Sequence, residues 1–131
     1  MTVDCCVYCG DWFECRDHLI PIVFMRVYRN YRKGETVHSC AICNQLAGSY
    51  VSYTVGEKAV YLLTCYERKY KRWLGLPVWT RSEVGELRYT LRTRVRLNEA
   101  FRRLIVAKLR NLDLVSMGFK PVPIERSICH L

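Results

Sequence analysis

A chain of 131 residues, half of them apolar, suits one domain or one small domain with an extension, and is too hydrophobic to remain disordered. No apolar run approaches the roughly 20 residues that cross a bilayer, and cysteines and acids stand where a secretory leader needs basic and then apolar residues. A cytoplasmic location and no membrane partner are expected, and the formal net charge of +9 points to a polyanion as partner.

In chain order, the segment up to Pro21 reads as a cysteine knuckle running into a strand that ends on Asp17-His18. Ile20 to Tyr28, rich in β-branched and aromatic residues, is the expected second strand, and Asn30 to Gly34 the turn after it. Ala41 to Ala47 favours a helix closed by Gly48-Ser49, and residues 51–55 read as a short extended linker. From Glu57 to Leu74 the apolar positions Ala59, Leu62, Leu63, Tyr66, Tyr70, Trp73 and Leu74 have helical spacing, and Gly75-Leu76-Pro77 stops the helix. Thr80-x-x-Glu83 then resembles a capping box that opens a second amphipathic helix. Val84, Leu87, Leu91, Val95, Phe101, Leu104, Ile105 and Leu109 carry it to about Leu112. Such a helix is roughly 45 Å long, and a kink near Arg96–Asn98 is expected. Val115 to Leu131, with Gly118, Pro121 and Pro123, reads as an irregular tail.

Two Cys-x-x-Cys pairs, Cys6 with Cys9 and Cys40 with Cys43, suit a tetrahedral zinc ion, because each pair approaches the metal from one tight turn. In a reducing compartment such pairs favour metal over disulfides. Cys5 competes with Cys6 as a ligand, and Cys15 is an alternative to either. Cys65 falls in a helical pattern and reads as a core thiol, and Cys129-His130 as incidental. The interval from Cys9 to Cys40 has room for a strand-turn-strand element, and it contains Asp17-His18, while Asn44 directly follows the second pair. A carboxylate, an imidazole and an amide oxygen can together hold a hard divalent ion and activate water. His38 is a candidate for supporting that site or binding phosphate, with a plain surface role as its rival.

The run Cys6-x-x-Cys9-Gly10, Asp17-His18-Leu19-Ile20-Pro21 and Cys40-x-x-Cys43-Asn44 resembles the zinc-containing branch of the HNH, or ββα-metal, endonucleases over about the first 50 residues. The resemblance implies an α+β fold: a zinc-stapled ββα-metal nuclease core at residues 1–52, followed by a basic helical extension at 53–131 with two amphipathic helices and a tail. It implies His18 as general base, Asp17 and Asn44 as ligands of a catalytic Mg²⁺ or Mn²⁺, and Cys6, Cys9, Cys40 and Cys43 as ligands of a structural Zn²⁺. Where the family usually carries Asn, some nine residues before its last ligand, this chain has Glu35, which is expected to brace a loop or orient the base. Ile22-Val23-Phe24-Met25 replaces the family's Gly-rich turn. The family's distribution suggests a bacteriophage or other mobile-element protein working in a bacterial host cytoplasm.

Residues 1–50 hold five basic side chains (Arg16, Arg26, Arg29, Arg32, Lys33) and five acids (Asp4, Asp11, Glu14, Asp17, Glu35), so the excess positive charge lies in the remainder. Arg88, Arg92, Arg94, Arg96, Arg102 and Arg103 form its densest cluster and are expected to contact the backbone of double-stranded DNA. The Leu/Val stripe of the same helices could instead be the seam of a homodimer. The rival readings are a zinc-ribbon DNA-binding or regulatory protein without catalysis, and a degenerate nuclease fold serving protein–protein interaction.

Overall fold

The computed structural model describes residues 5–19 and 36–125. Strand β1 (Cys15–His18) pairs antiparallel with β2 (Thr36–Ser39), in the register Cys15 with Ser39, Arg16 with His38, Asp17 with Val37 and His18 with Thr36. Strand alternation sends Asp17 inward to 4% exposure and leaves Arg16 in solvent. The strand expected at Ile20–Tyr28 and the turn at Asn30–Gly34 lie outside the described residues, as does Glu35. The observed partner of β1 is Thr36–Ser39, immediately before the second cysteine pair.

Helix α1 (Ala41–Ala47) is capped by a ligand candidate, since Cys40 is extended and its Sγ accepts the Cys43 N–H at 3.4 Å. Gly48, at φ 50°, closes it. Helix α2 (Val55–Lys69) opens on Thr54, whose hydroxyl accepts the Glu57 N–H, while the Glu57 carboxylate accepts from Tyr53 N. The single helix expected over Glu57–Leu74 is two: α2 ends at Tyr70, and α3 (Lys71–Leu74) runs on to Gly75. Tyr70 is buried between the rings of Tyr66 and Phe101, so packing holds it out of helical geometry at φ −107°, ψ 17°.

The Thr80/Glu83 capping box forms with both of its reciprocal hydrogen bonds, but the helix it opens is short, α4 (Arg81–Gly85). The chain breaks there and restarts as α5 (Tyr89–Ser116), whose 28 residues span about 42 Å. It is continuous through Arg96–Asn98, where a kink was expected, and ends one turn beyond Leu112. Residues after Gly118 are irregular, as expected, yet docked: the Ile124 N–H donates to the Gly10 carbonyl, and the Val122 N–H and C=O both pair with the Asn111 amide.

These elements make a small α+β fold with a two-stranded sheet among the described residues. One core runs through it. Cys6, Tyr8, Cys9, Cys40 and Cys43 share a single apolar cluster with Ala59, Leu62 and Tyr66 of α2 and with Ile105, Leu112 and Val115 of α5. The helices therefore close the core of the cysteine knuckle rather than trailing behind it as an extension. The same packing uses the C-terminal part of the apolar stripe of α5 within the chain, where it is unavailable as a dimer seam. Among the described residues, no helix is long and apolar enough to cross a membrane.

Gly10, which ends the first knuckle, sits at φ 78°. A Cβ there would fall 2.6 Å from the Val122 carbonyl oxygen and against the Asn111 amide. Left-handed backbone strain and overpacking then add, so Gly10→Ala is expected to cost about 2–4 kcal/mol. Urea denaturation of the metal-loaded protein measures it.

Candidate metal centre and the Asp17-His18 site

The knuckle turn, tied by Gly10 N to Cys6 O and by Cys6 N to Asp11 O, presents Cys6 and Cys9; the start of α1 presents Cys40 and Cys43. All four Sγ atoms lie within 4.8 Å of one another and all four residues are buried. Thiolates around a tetrahedral zinc at about 2.3 Å stand roughly 3.8 Å apart, and Cys9 and Cys40 are at 3.6 Å. Four buried cysteines are thus positioned to hold one metal ion, and their sulfur donors suit zinc. Cys5, Cys15 and Cys65 are half-buried and outside this cluster, so it is Cys6 that the fold groups with the other three.

The four sulfurs are electrostatically inseparable. Hydrogen bonds from Cys43, Cys6 and Cys9 hold the Cys40 thiol far below the ordinary thiol range. The bond to Cys40 pushes Cys9 up, and burial pushes Cys43 up. Four buried thiolates this close together need a cation. The hydroxyl of Tyr66 lies 3.0 Å from Cys43 Sγ and 3.9 Å from Cys40 Sγ, and burial with the neighbouring sulfur charge pushes its pKa up. Lys108 of α5 sits over the Tyr66 ring and pairs with Asp11 at 3.2 Å, both side chains buried. Asn111 donates to the Cys9 carbonyl at 2.8 Å.

Beside this centre, Asp17 is drawn into the interior. Its Oδ2 accepts from the Tyr8 hydroxyl at 2.6 Å and from Lys58 Nζ at 2.9 Å. The same ammonium, itself 0% exposed, donates to the His18 carbonyl at 2.9 Å. His18 is half-buried at the end of β1; Asn44 is half-buried on the first turn of α1. Among the described residues no hydrogen bond joins the His18 imidazole to Asp17 or Asn44. For a hard divalent ion the Asp17 carboxylate and the Asn44 amide oxygen are the right donors in kind, but Asp17 already shares one oxygen with a lysine. His38 stacks on Phe13 at 4.2 Å, and its carbonyl accepts the Val7 N–H, so it ties the knuckle to β2.

The arginine cluster divides. Arg102 donates to the Leu74 carbonyl at the end of α3 and to Leu76 just beyond it, and Arg92 to the Gly85 carbonyl at the end of α4 and to Leu87 just beyond it. Both are C-terminal helix caps rather than open phosphate ligands. Arg88, Arg94, Arg96 and Arg103 are exposed. Arg110, absent from the sequence-based set, is exposed seven residues beyond Arg103. Arg96, Arg103 and Arg110 thus form a row with steps of about 10.5 Å along α5.

Lys58 and Lys108 were missed by the sequence reading although a signal existed. Lys58 falls on the apolar stripe with Leu62 and Tyr66, and Lys108 on the one with Ile105, Leu112 and Val115. A lysine on a buried stripe requires an acidic partner from elsewhere in the fold. Compared with known proteins, the chain matches no family model, no curated protein and no solved structure.

Proposed function

We propose that this chain is an HNH-type endonuclease that hydrolyses DNA phosphodiester bonds with divalent-ion assistance, on a scaffold held by one structural zinc ion at Cys6, Cys9, Cys40 and Cys43. The observation that carries the reading is that, among the described residues, β1 and β2 lie between the two cysteine pairs and α1 carries the second pair, with Asp17-His18 closing β1 and Asn44 on α1. In this reading His18 removes the proton from the attacking water. Lys58 holds the His18 backbone, and Tyr8 and Lys58 hold Asp17, so the base has a fixed mount. Asp17 and Asn44 would hold the divalent ion, which when bound supplies positive charge on the phosphate. Exposed Arg88, Arg94, Arg96 and Arg103 suit the DNA backbone, with a salt-dependent affinity.

Nicking of supercoiled plasmid by the zinc-loaded protein in Mg²⁺ or Mn²⁺ tests this. His18→Ala is expected to lower the rate by about 10²–10⁴-fold, with zinc content and far-ultraviolet circular dichroism unchanged. Equal rates in the two proteins would remove His18 from the mechanism. A second reading, a zinc-stapled DNA-binding module without catalysis, is favoured by one observation: Asp17 Oδ2 already has two donors. Salt-sensitive DNA binding with no His18-dependent nicking would establish it.

A further inference from the structure

We infer that Lys58 is a built-in competitor for the Asp17 carboxylate, so that its ammonium sets how much divalent ion the Asp17-His18-Asn44 site requires. The inference rests on the reading of those three residues as a hydrolytic site. Lys58 reaches from α2 across 41 positions of sequence to Asp17 Oδ2, with both side chains buried. Nothing about helix α2 requires a lysine there, since its neighbours on the stripe, Leu62 and Tyr66, are core residues. Burying an ammonium costs its hydration, and here the charge is retained by two acceptors, the carboxylate and the His18 carbonyl. A divalent cation arriving at the Asp17 carboxylate therefore meets a resident positive charge about 3 Å from one of its two oxygens. It must either displace that charge or bind against its repulsion, and in a site of low dielectric that repulsion is large. Lys58 would act through Asp17 as a positioning residue: it keeps carboxylate and base mounted when no divalent ion is present, and yields Oδ2 when one binds.

The test compares the zinc-loaded parent with Lys58→Met, a neutral side chain of similar length, by calorimetric titration with Mn²⁺. The variant is expected to bind Mn²⁺ at least about tenfold more tightly, and a second substitution, Asp17→Asn, should abolish the gain. The Mg²⁺ concentration that half-saturates nicking should fall in parallel. Lys58→Arg, which keeps the charge, should retain the parent's Mn²⁺ affinity. A further measurement needs no substitution and holds even if Lys58→Met fails to fold: the Lys58 Nζ resonance of the parent should shift as Mg²⁺ saturates the site. Equal Mn²⁺ affinity in parent and Lys58→Met, or a Lys58 resonance unmoved at saturating Mg²⁺, overturns the inference; His18-dependent nicking alongside either result leaves the nuclease reading standing. Conversely, Mn²⁺ affinity controlled by Lys58 without any His18-dependent nicking upholds the competitor and overturns the nuclease.

Discussion

Removing the metal from the four-cysteine cluster is expected to unfold the whole chain, not only its N-terminal third. The four ligand candidates are the junction at which the knuckle, α1, α2 and α5 meet, and they lie in the same apolar cluster as Leu62, Tyr66, Ile105 and Leu112. A structural zinc site contributes on the order of 10 kcal/mol, which is comparable with the entire stability of an ordinary domain, about 5–15 kcal/mol. Without the cation, four buried sulfurs this close together cannot all stay ionised, because their charges repel one another in a medium of low dielectric. The expected result is one zinc per chain, lost to a strong chelator together with helical circular dichroism. Cys43→Ser should reproduce that loss, whereas Cys15→Ser and Cys65→Ser should retain full zinc and helicity. Retained helicity in the metal-free chain would show that the helices fold independently of the knuckle. Because the ligands bind as thiolates, acidification should release the metal and unfold the protein in one step.

Lys108→Met is expected to destabilise the metal-loaded protein by about 3–5 kcal/mol. The substitution keeps the length of the side chain but takes its ammonium from the Asp11 carboxylate and from the sulfurs around Tyr66. Burial alone would push the Lys108 pKa down, but the Cys9 and Cys40 thiolates and Asp11 outweigh it and hold it above the ordinary lysine range. A group raised in this way contributes stability that is fully present below its unfolded value, near 10.5, and lost as pH rises through the folded one. Urea midpoints should accordingly show the parent losing Lys108's contribution only in strong alkali, and Lys108→Met lacking that alkaline step. The double variant Asp11→Asn/Lys108→Met should recover much of the loss, since removing both charges costs less than removing one. Additive losses in the two single variants would mean the pair is not coupled.

Both predictions depend on contacts that join distant parts of the chain, and here sequence and structure divide by range. The cysteine pairs, the helix between Cys40 and Gly48, the Thr80/Glu83 capping box and the stop at Gly75 were legible because each is decided within a few residues: a turn, a cap or a glycine satisfies or releases backbone groups locally. The residue types of the candidate site, Asp17, His18 and Asn44, were legible for the same reason. What the neighbours of a residue decide was not. Strand pairing chose Thr36–Ser39, four residues too few to announce themselves by pattern. Packing of Tyr70 divided one amphipathic run into α2 and α3, and the short α4 separated the capping box from the long helix it seemed to open. Arg92 and Arg102 read as part of a DNA-binding cluster until the structure set them against helix-end carbonyls. Lys58 and Lys108 stand on apolar stripes, and only folding brings Asp17 and Asp11 beside them. By itself the sequence determined the two cysteine pairs and the local caps and stops of the helices. Only the tertiary structure decided that the helices complete the core of the knuckle, and that the carboxylate of the candidate site holds a lysine, because a buried charge can be satisfied only by a partner that folding brings to it.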